Sequence, residues 1–597
     1  MKKRIVVCCD GTWQNSDNGY VKPTSSNPLP TLQIPSNVTR ISRTFKRTCS
    51  DGTFQIVYYQ SGVGSRSGPI ERILGGAFGI GIAENIREAY AYICANYVDG
   101  DEIVLVGFSR GAFTARSIGG MISDLGLLTR TGMEFFYPVF KDMQNWMNPD
   151  YKDQFPQIPF PNKPKGEHAA DEYRKMLEEK GYTRVRQGKG EGDLIRIKAI
   201  GVWDTVGALG IPQGKLRETL ARLGIKMRNH EYRFYNTRLS HKIEHGFHAL
   251  ALDETRGPFS PTLWEQPKEE GDTSDLRQVW FPGSHGNIGG GWTDQGVANI
   301  TLAWMMDQLS SVGCEFVPDA LERVHNRNVE FYNSLKIKQA KREKVAESSR
   351  GLCRSSSKEP LLWATKSIFD GNTPIRPWAL HSIRSDSSLL FELIGSVTRS
   401  PGLYRKINPD NGTPRKAFLK DTNERIHSSV RVRLACEGLG LNDSGLWECS
   451  SLLRSWRPRR VHEEFDDPIP QDAHWGPRGG DSINGLPNNT NATTEESIDH
   501  GDVSSTVIRE LVQDTKGASA GEGSSPRPRW VWEYVGSEKN APHDQTLVED
   551  TMGPWERHLL ELSVGKVQVC DYADAQDVQK LKVFKFKKFM KKSKARK

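Results

Sequence analysis

Residues 103–119 read IVLVGFSRGAFTARSIG: an apolar run, then Gly107-Phe108-Ser109-Arg110-Gly111, then small residues that continue as a helix. This is the pattern of a nucleophile elbow, G-x-S-x-G. A strand that turns abruptly into a helix strains its corner residue, and glycines two positions to either side leave room for the serine to project above the sheet. Ser109 is therefore the first candidate nucleophile. In a chain of 597 residues with 56 glycines the bare pentapeptide says little, so the flanking strand and helix patterns carry the reading.

The same alternation continues on both sides of the elbow. Residues 4–9 form a buried strand that ends in Asp10-Gly11-Thr12-Trp13, and residues 55–60 (QIVYYQ) form a second, followed by a glycine-rich loop over 62–81. A helix over 82–97 places Ile82, Ile86, Ala89, Tyr90, Ile93 and Tyr97 on one stripe. Beyond the elbow, residues 194–203 are a strand that ends at Asp204, residues 276–281 a strand that leads to His285, and residues 297–309 a helix. Repeated strand and helix predict an α/β-hydrolase-like fold: a doubly wound, mostly parallel sheet whose ligands sit beyond the carboxyl ends of the strands.

Length allows several domains. We expect a catalytic domain over 1–310, with residues 131–191, aromatic and proline-rich and then highly charged, as an inserted cap. A helical region packing on the core follows over 311–465. Residues 466–529, rich in Gly, Ser, Asn, Pro and Thr, are expected to be disordered, 530–579 to be a short ordered return, and 580–597 a basic tail. That tail (KLKVFKFKKFMKKSKARK) carries ten Lys/Arg and no acids, so against a net charge of +8 the rest of the chain stands at −2. Its interleaved Leu, Val, Phe and Met suit an anionic membrane surface, and its lysines also suit a nuclear signal or a nucleic-acid contact.

Mean hydropathy is −0.58 and no run reaches the roughly 18 apolar residues of a membrane span. The apolar run after Met1-Lys2-Lys3-Arg4 is too short for a signal peptide, so the expectation is a cytoplasmic protein, peripheral to a membrane or nuclear only through its tail. The nine cysteines are odd in number and scattered without a CxxC pair, which implies neither a disulfide framework nor a zinc ribbon. No cofactor is expected.

Ser109, Asp204 and His285 stand in the chain order of an α/β-hydrolase triad. A serine hydroxyl is a poor nucleophile near neutral pH, so an imidazole must take its proton and later return it to the leaving group. The carboxylate fixes the imidazole tautomer. The expected oxyanion hole is the backbone N–H of Arg110 with one from the Gly11-Thr12 loop. Asp10 supports that loop, and Asp253 is the reserve acid.

Together, CCDGTWQN, SNVTRI, YYQSGVG, GGAFGIGIAENIREAYAYI, GFSRGAFTAR, GVWDTVGALG, HALALDETRGPF and WFPGSHGNIGGGW resemble the DUF2235 family, over about residues 3–310, with an echo at Ile426-His427-Ser428-Ser429-Val430-Arg431. The bacterial members of that family include type VI secretion phospholipase effectors with an α/β-hydrolase catalytic domain. The resemblance implies a serine esterase or phospholipase acting on an ester or phospholipid, with Ser109 as nucleophile and His285 as base. The family pattern H-x-D-[VI]-G-G-G has Asp where this chain has Asn287, so no acid role falls there.

Rival chemistries fit less well. Asp10-Gly-Thr lacks the nucleophilic aspartate of the D-x-D-G-T phosphatases, because Cys8 stands in its place. His241-Lys-Ile-Glu-His245 matches H-x-x-E-H, which on a helix puts two imidazoles on one face for zinc, with His248 at the next turn. Gly76, Gly79 and Gly81 match neither nucleotide-binding glycine pattern. A non-catalytic, hydrolase-like scaffold that binds a membrane or a partner is the alternative to an enzyme.

Overall fold

The computed structural model describes residues 2–11, 32–62, 81–148, 150–188, 192–206, 238–266, 273–348, 376, 378–385, 396–407, 414–435, 438–461, 529–538, 541 and 546–564. The glycine-rich loop over 63–80, the expected disordered stretch over 466–528 and the basic tail lie outside them.

Ten strands form one sheet: β1 (Lys3–Cys9), β2 (Phe54–Gln60), β3 (Glu102–Phe108), β4 (Ala199–Trp203), β5 (His245–Ala251), β6 (Asp275–Phe281), β7 (Glu424–Ile426), β8 (Trp456–Val461), β9 (Arg529–Tyr534) and β10 (Leu547–Glu549). Their spatial order is β8-β9-β10-β7-β6-β5-β4-β3-β1-β2. From β2 across to β10 every neighbouring pair is parallel; β9 and β8 join antiparallel at the far edge. The expected mostly parallel α/β sheet is what the chain forms.

Parallel strands covered on both faces need apolar residues at every position, and β1 illustrates it. Val6 and Cys8 enter the core on one face, while Ile5, Val7 and Cys9 enter the core on the other. One face is covered by helices α2 (Ile82–Asn96) and α3 (Arg110–Leu125), the other by α7 (Gly296–Ser311), which is buried on almost every side. The Trp203 indole at the end of β4 donates to Thr301 O on α7 at 3.2 Å, so the last residue before Asp204 is anchored to that helix layer.

The chain passes from β1 out to β2 and then back to β3 on the opposite side of β1. This reversal leaves a crevice beyond the carboxyl ends of β1 and β3, the topological switch point at which open α/β sheets bind ligands. Asp10 and Ser109 are the first residues past those two ends.

Two regions differ from expectation. Residues 311–465 contribute strands as well as helices: β7 pairs with β6 and so extends the central sheet rather than only packing on it. The insertion over 131–191, expected as a cap, packs its helices α4 (Phe136–Asn145) and α5 (Ala169–Glu179) against the α2–α3 face. Its anchors, Thr183 on Leu125 O and Arg174 on Asp124 O, lie at the end of α3 opposite Ser109. Because α3 has 16 residues at about 1.5 Å each, those anchors sit roughly 24 Å along the helix from the serine.

Candidate active site

The elbow is built by steric necessity. Ser109 sits at φ 57°, a left-handed conformation costly for a side chain, and caps the start of α3. Its N–H donates to Trp203 O at 3.0 Å, which ties the strained turn to the end of β4. A Cβ at Gly107 would lie 2.5 Å from Gly111 O, and one at Gly111 would lie 2.1 Å from Cys9 O and 2.4 Å from Asp10 O. All of these are backbone atoms that cannot swing away, so both glycines are required for β1, β3 and α3 to meet here.

Three side chains converge at this point. His285, at the start of α6 (His285–Gly289), has Nε2 2.7 Å from Ser109 Oγ and Nδ1 2.6 Å from Asp204 Oδ2. Its ring lies between Phe108, 4.7 Å away between centroids, and the edge of Phe259 at 4.8 Å. Its backbone N–H donates to Glu254 Oε2 at 3.1 Å. Burial pushes the His285 pKa below its ordinary value, against the pull of Asp204, so the imidazole is neutral near neutral pH.

Asp204 is wholly buried at φ 38°, immediately past β4. Oδ1 accepts from Ala251 N at 3.2 Å, and Arg399 donates to Oδ1 at 2.9 Å and to Oδ2 at 3.1 Å. Burial alone would raise its pKa, but Arg399 and His285 outweigh that and hold the carboxyl well below the usual carboxylate range.

Asp10 also lies at the crevice. Its carboxylate accepts from Ser36 Oγ at 2.6 Å, from Thr39 Oγ1 and Tyr59 Oη at 2.7 Å, and from Gly11 N at 2.7 Å. It thus joins β1, β2 and the turn into α1 (Asn37–Ser42). This corrects the expectation for Gly11: its N–H is already donated to Asp10 and does not face an oxyanion. Thr12 lies outside the described residues. The Arg110 N–H is in the first turn of α3, where no intrahelical carbonyl can meet it.

Asp253 does not touch His285. Its Oδ2 accepts from Gly283 N at 2.7 Å and its Oδ1 from Trp447 Nε1 at 2.8 Å, so it braces the loop leading into His285. Asn287 is buried, donates to Ser382 O at 3.2 Å and accepts from Arg384 N at 3.0 Å. An aspartate could not make the first of these bonds.

The zinc reading of His241 and His245 is overturned by secondary structure. His245 opens strand β5, and His248 projects from the same strand into the core, accepting from Thr205 N at 3.1 Å with Nε2 and bonding Gln278 Oε1 at 3.2 Å through Nδ1. Strand geometry separates the imidazoles that a helix would have aligned. Among the described residues no group of three metal-ligating side chains forms a site, and no helix is long and apolar enough to cross a membrane. Sequence reasoning missed the roles of Arg399, Glu254 and the two phenylalanines flanking the imidazole; Phe108 lay inside the quoted elbow and Glu254 and Phe259 inside HALALDETRGPF, whereas Arg399 stood in no stretch already singled out.

A strand-elbow-helix at the switch point of a mostly parallel sheet, with serine, histidine and aspartate in line, is the architecture of an α/β hydrolase. The family described as T6SS phospholipase effector Tle1-like, catalytic domain, matches residues 3–308, and the chain belongs to it. The family's description is of phospholipase effectors, and the stretch of this chain that matches corresponds to their catalytic domain. The chain is also 22% identical over 451 residues to an uncharacterized protein of Saccharomyces cerevisiae, which covers 53% of this chain and 58% of that one. A crystal structure of an uncharacterized protein from Pseudomonas aeruginosa matches at 16% identity over 54% of this chain and 47% of that one, with a TM-score of 0.26. The chain therefore spans less than two thirds of either relative.

Proposed function

We propose that the protein is a serine esterase of phospholipase type that cleaves the carboxylic ester of a phospholipid or related acyl lipid. Ser109 Oγ attacks the acyl carbonyl carbon while His285 Nε2 takes its proton. The oxyanion that forms accepts from the Arg110 N–H. Collapse breaks the ester C–O bond, and His285 returns the proton to the departing alcohol oxygen. Water, deprotonated by His285, then attacks the acyl-serine and releases the fatty acid and Ser109. Asp204 keeps the imidazole in the tautomer with its proton on Nδ1 and offsets the charge that appears on the ring.

The observation that carries this reading is the continuous line from Ser109 Oγ through both nitrogens of His285 to Asp204, at 2.7 and 2.6 Å. A buried serine paired to a neutral imidazole has no structural need for a strained backbone, and that strain is best explained by a requirement to present Oγ. Association with an anionic membrane through residues 580–597 is part of the proposal, since the bond to be cleaved lies at a lipid surface.

A fluorophosphonate probe tests it. It should label the wild type and fail to label Ser109→Ala, and His285→Ala should lower both labelling and ester hydrolysis by roughly 10³-fold or more. An unlabelled wild type, or a labelled Ser109→Ala protein, would remove the proposed nucleophile.

A further inference from the structure

Arg399 lies beyond the family-matched stretch, on a segment whose Ser396 bridges to Arg256. Its guanidinium is buried, with 3% of its side chain exposed. It meets the carboxylate of Asp204 with both terminal nitrogens, one to each oxygen, and Nη2 also donates to Phe259 O at 2.6 Å. The Phe259 ring is the one packed edge-on against the His285 imidazole. One side chain from the C-terminal half thus grips the acid of the line and the wall beside its base.

We propose that Arg399 is the positioning residue of the catalytic acid: its two-pronged contact fixes the Asp204 carboxylate plane so that Oδ2 faces His285 Nδ1 and the imidazole is aimed at Ser109. The inference rests on the Ser109–His285–Asp204 reading above. A carboxylate on a short side chain can rotate about its last bond, and only an oxygen held in the imidazole plane selects one tautomer. A planar guanidinium donating two parallel N–H bonds removes that rotation, which a lysine ammonium does less well.

The contact also divides the charge of Asp204. An isolated carboxylate at full charge would draw a proton onto His285 strongly; one shared with a cation draws it less, leaving the base free at lower pH. Among the described residues, the other charged or titratable groups about this centre include Glu254, on the His285 N–H; Arg256, paired to Glu254; Tyr404, beside Arg399; and His248 on β5. None of them occupies the Asp204 oxygens, which Arg399, His285 and Ala251 N take up.

Removing the cation has two consequences with one sign. If Asp204 stays ionised, its undivided charge raises the His285 pKa; if it protonates because it is buried and unpaired, the line loses its anion below that new pKa. Either way the acid limb of kcat/KM moves to higher pH. A residue that merely packed the loop would lower the rate equally at all pH values.

The test is the pH dependence of p-nitrophenyl butyrate hydrolysis and of fluorophosphonate labelling for wild type, Arg399→Met and Arg399→Lys on the full chain. Arg399→Met should lower kcat at least about tenfold with KM within about twofold, and move the acid limb up by about one pH unit. Arg399→Lys, keeping the charge but not the fork, should restore the limb most of the way and the rate only in part; it also carries the test if the methionine variant does not fold. Arg399→Met with the wild-type limb, whether at full rate or uniformly slowed, or Arg399→Lys at the full wild-type rate, overturns the positioning role while the Ser109 reading stands. Absence of Ser109-dependent labelling in the wild type would instead overturn the underlying reading.

Discussion

Replacing Asp204 by asparagine should cost more activity than replacing Asp253, and the structure gives the size of each effect. The Asp204 oxygens accept from Ala251 N, from two nitrogens of Arg399 and from His285 Nδ1. An amide has one acceptor oxygen, so its NH2 must face either the guanidinium or the imidazole. Facing the imidazole, it imposes the wrong tautomer, for which a loss of about 10⁴ in kcat is the general expectation. Facing Arg399, it leaves a buried cation without its carboxylate, and breaking such a pair by removing one partner costs about 3–5 kcal/mol of stability. Asp253 accepts only a backbone N–H and an indole N–H, so Asp253→Asn loses one bond, about 1–3 kcal/mol of stability and less than about tenfold in rate. Hydrolysis of a short soluble ester, read beside urea unfolding, separates the two. Adding Arg399→Met to Asp204→Asn should recover part of the lost stability and none of the activity. A larger rate loss in Asp253→Asn than in Asp204→Asn would move the acid to Asp253 and refute the argument.

Two further outcomes are expected. His248 is wholly buried and its pKa is pushed by burial from 6.5 to about 3. Because the unfolded chain takes the proton first, stability is full above about pH 6.5 and falls as pH drops below it; the loss from pH 7 to pH 5 is on the order of 2 kcal/mol. Urea titrations should show that loss reduced in His248→Gln, and equal pH slopes in the two proteins would exclude it. Deleting residues 580–597 should weaken binding to phosphatidylserine-containing vesicles and make what remains less salt-sensitive, since each basic residue near such a surface contributes about 1 kcal/mol that salt screens. Soluble-ester hydrolysis should be unchanged. Undiminished vesicle binding would remove the membrane role of the tail.

The central sheet was legible because parallel strands buried on two faces print themselves as unbroken apolar runs, as Val104 to Val106 and Ile200 to Trp203 do. Ser109, Asp204 and His285 were legible for a related reason: each directly follows such a run or a short turn after it, and the switch-point rule points to strand ends. The zinc rival at His241 and His245, already the weaker reading, arose from the opposite situation. HGFHALA alternates and also fits a helical stripe, and a five-residue motif cannot decide between periods of 2 and 3.6. The tie of Gly11 to Asp10 depends on where one backbone N–H points, which composition does not record. Arg399 was invisible because it meets Asp204 across 195 residues of chain, in a segment with no periodicity of its own.

That distance bears on what the catalytic unit is. Strand β6, which leads into His285, has β5 on one side and β7 on the other, and β7 begins at Glu424, far beyond the matched stretch. The contact is more than ladder pairing. The Trp280 indole donates to Glu424 Oε2 at 2.8 Å, Gln278 donates to Thr422 O at 2.6 Å, and Glu424 also accepts from Gly402 N, three residues from Arg399. Helix α8 (Pro554–Val564) starts on Asp307 of α7, whose carboxylate accepts from Trp555 N at 2.8 Å and Glu556 N at 2.9 Å. An edge strand with Gln278 and Trp280 stripped of these partners would expose buried polar groups and unpaired backbone, each costing about 1–3 kcal/mol against a typical net stability of 5–15 kcal/mol. The side chains proposed to react are therefore all supplied before residue 308, but the sheet that holds His285, and the cation that holds Asp204, are completed only by residues that come after it.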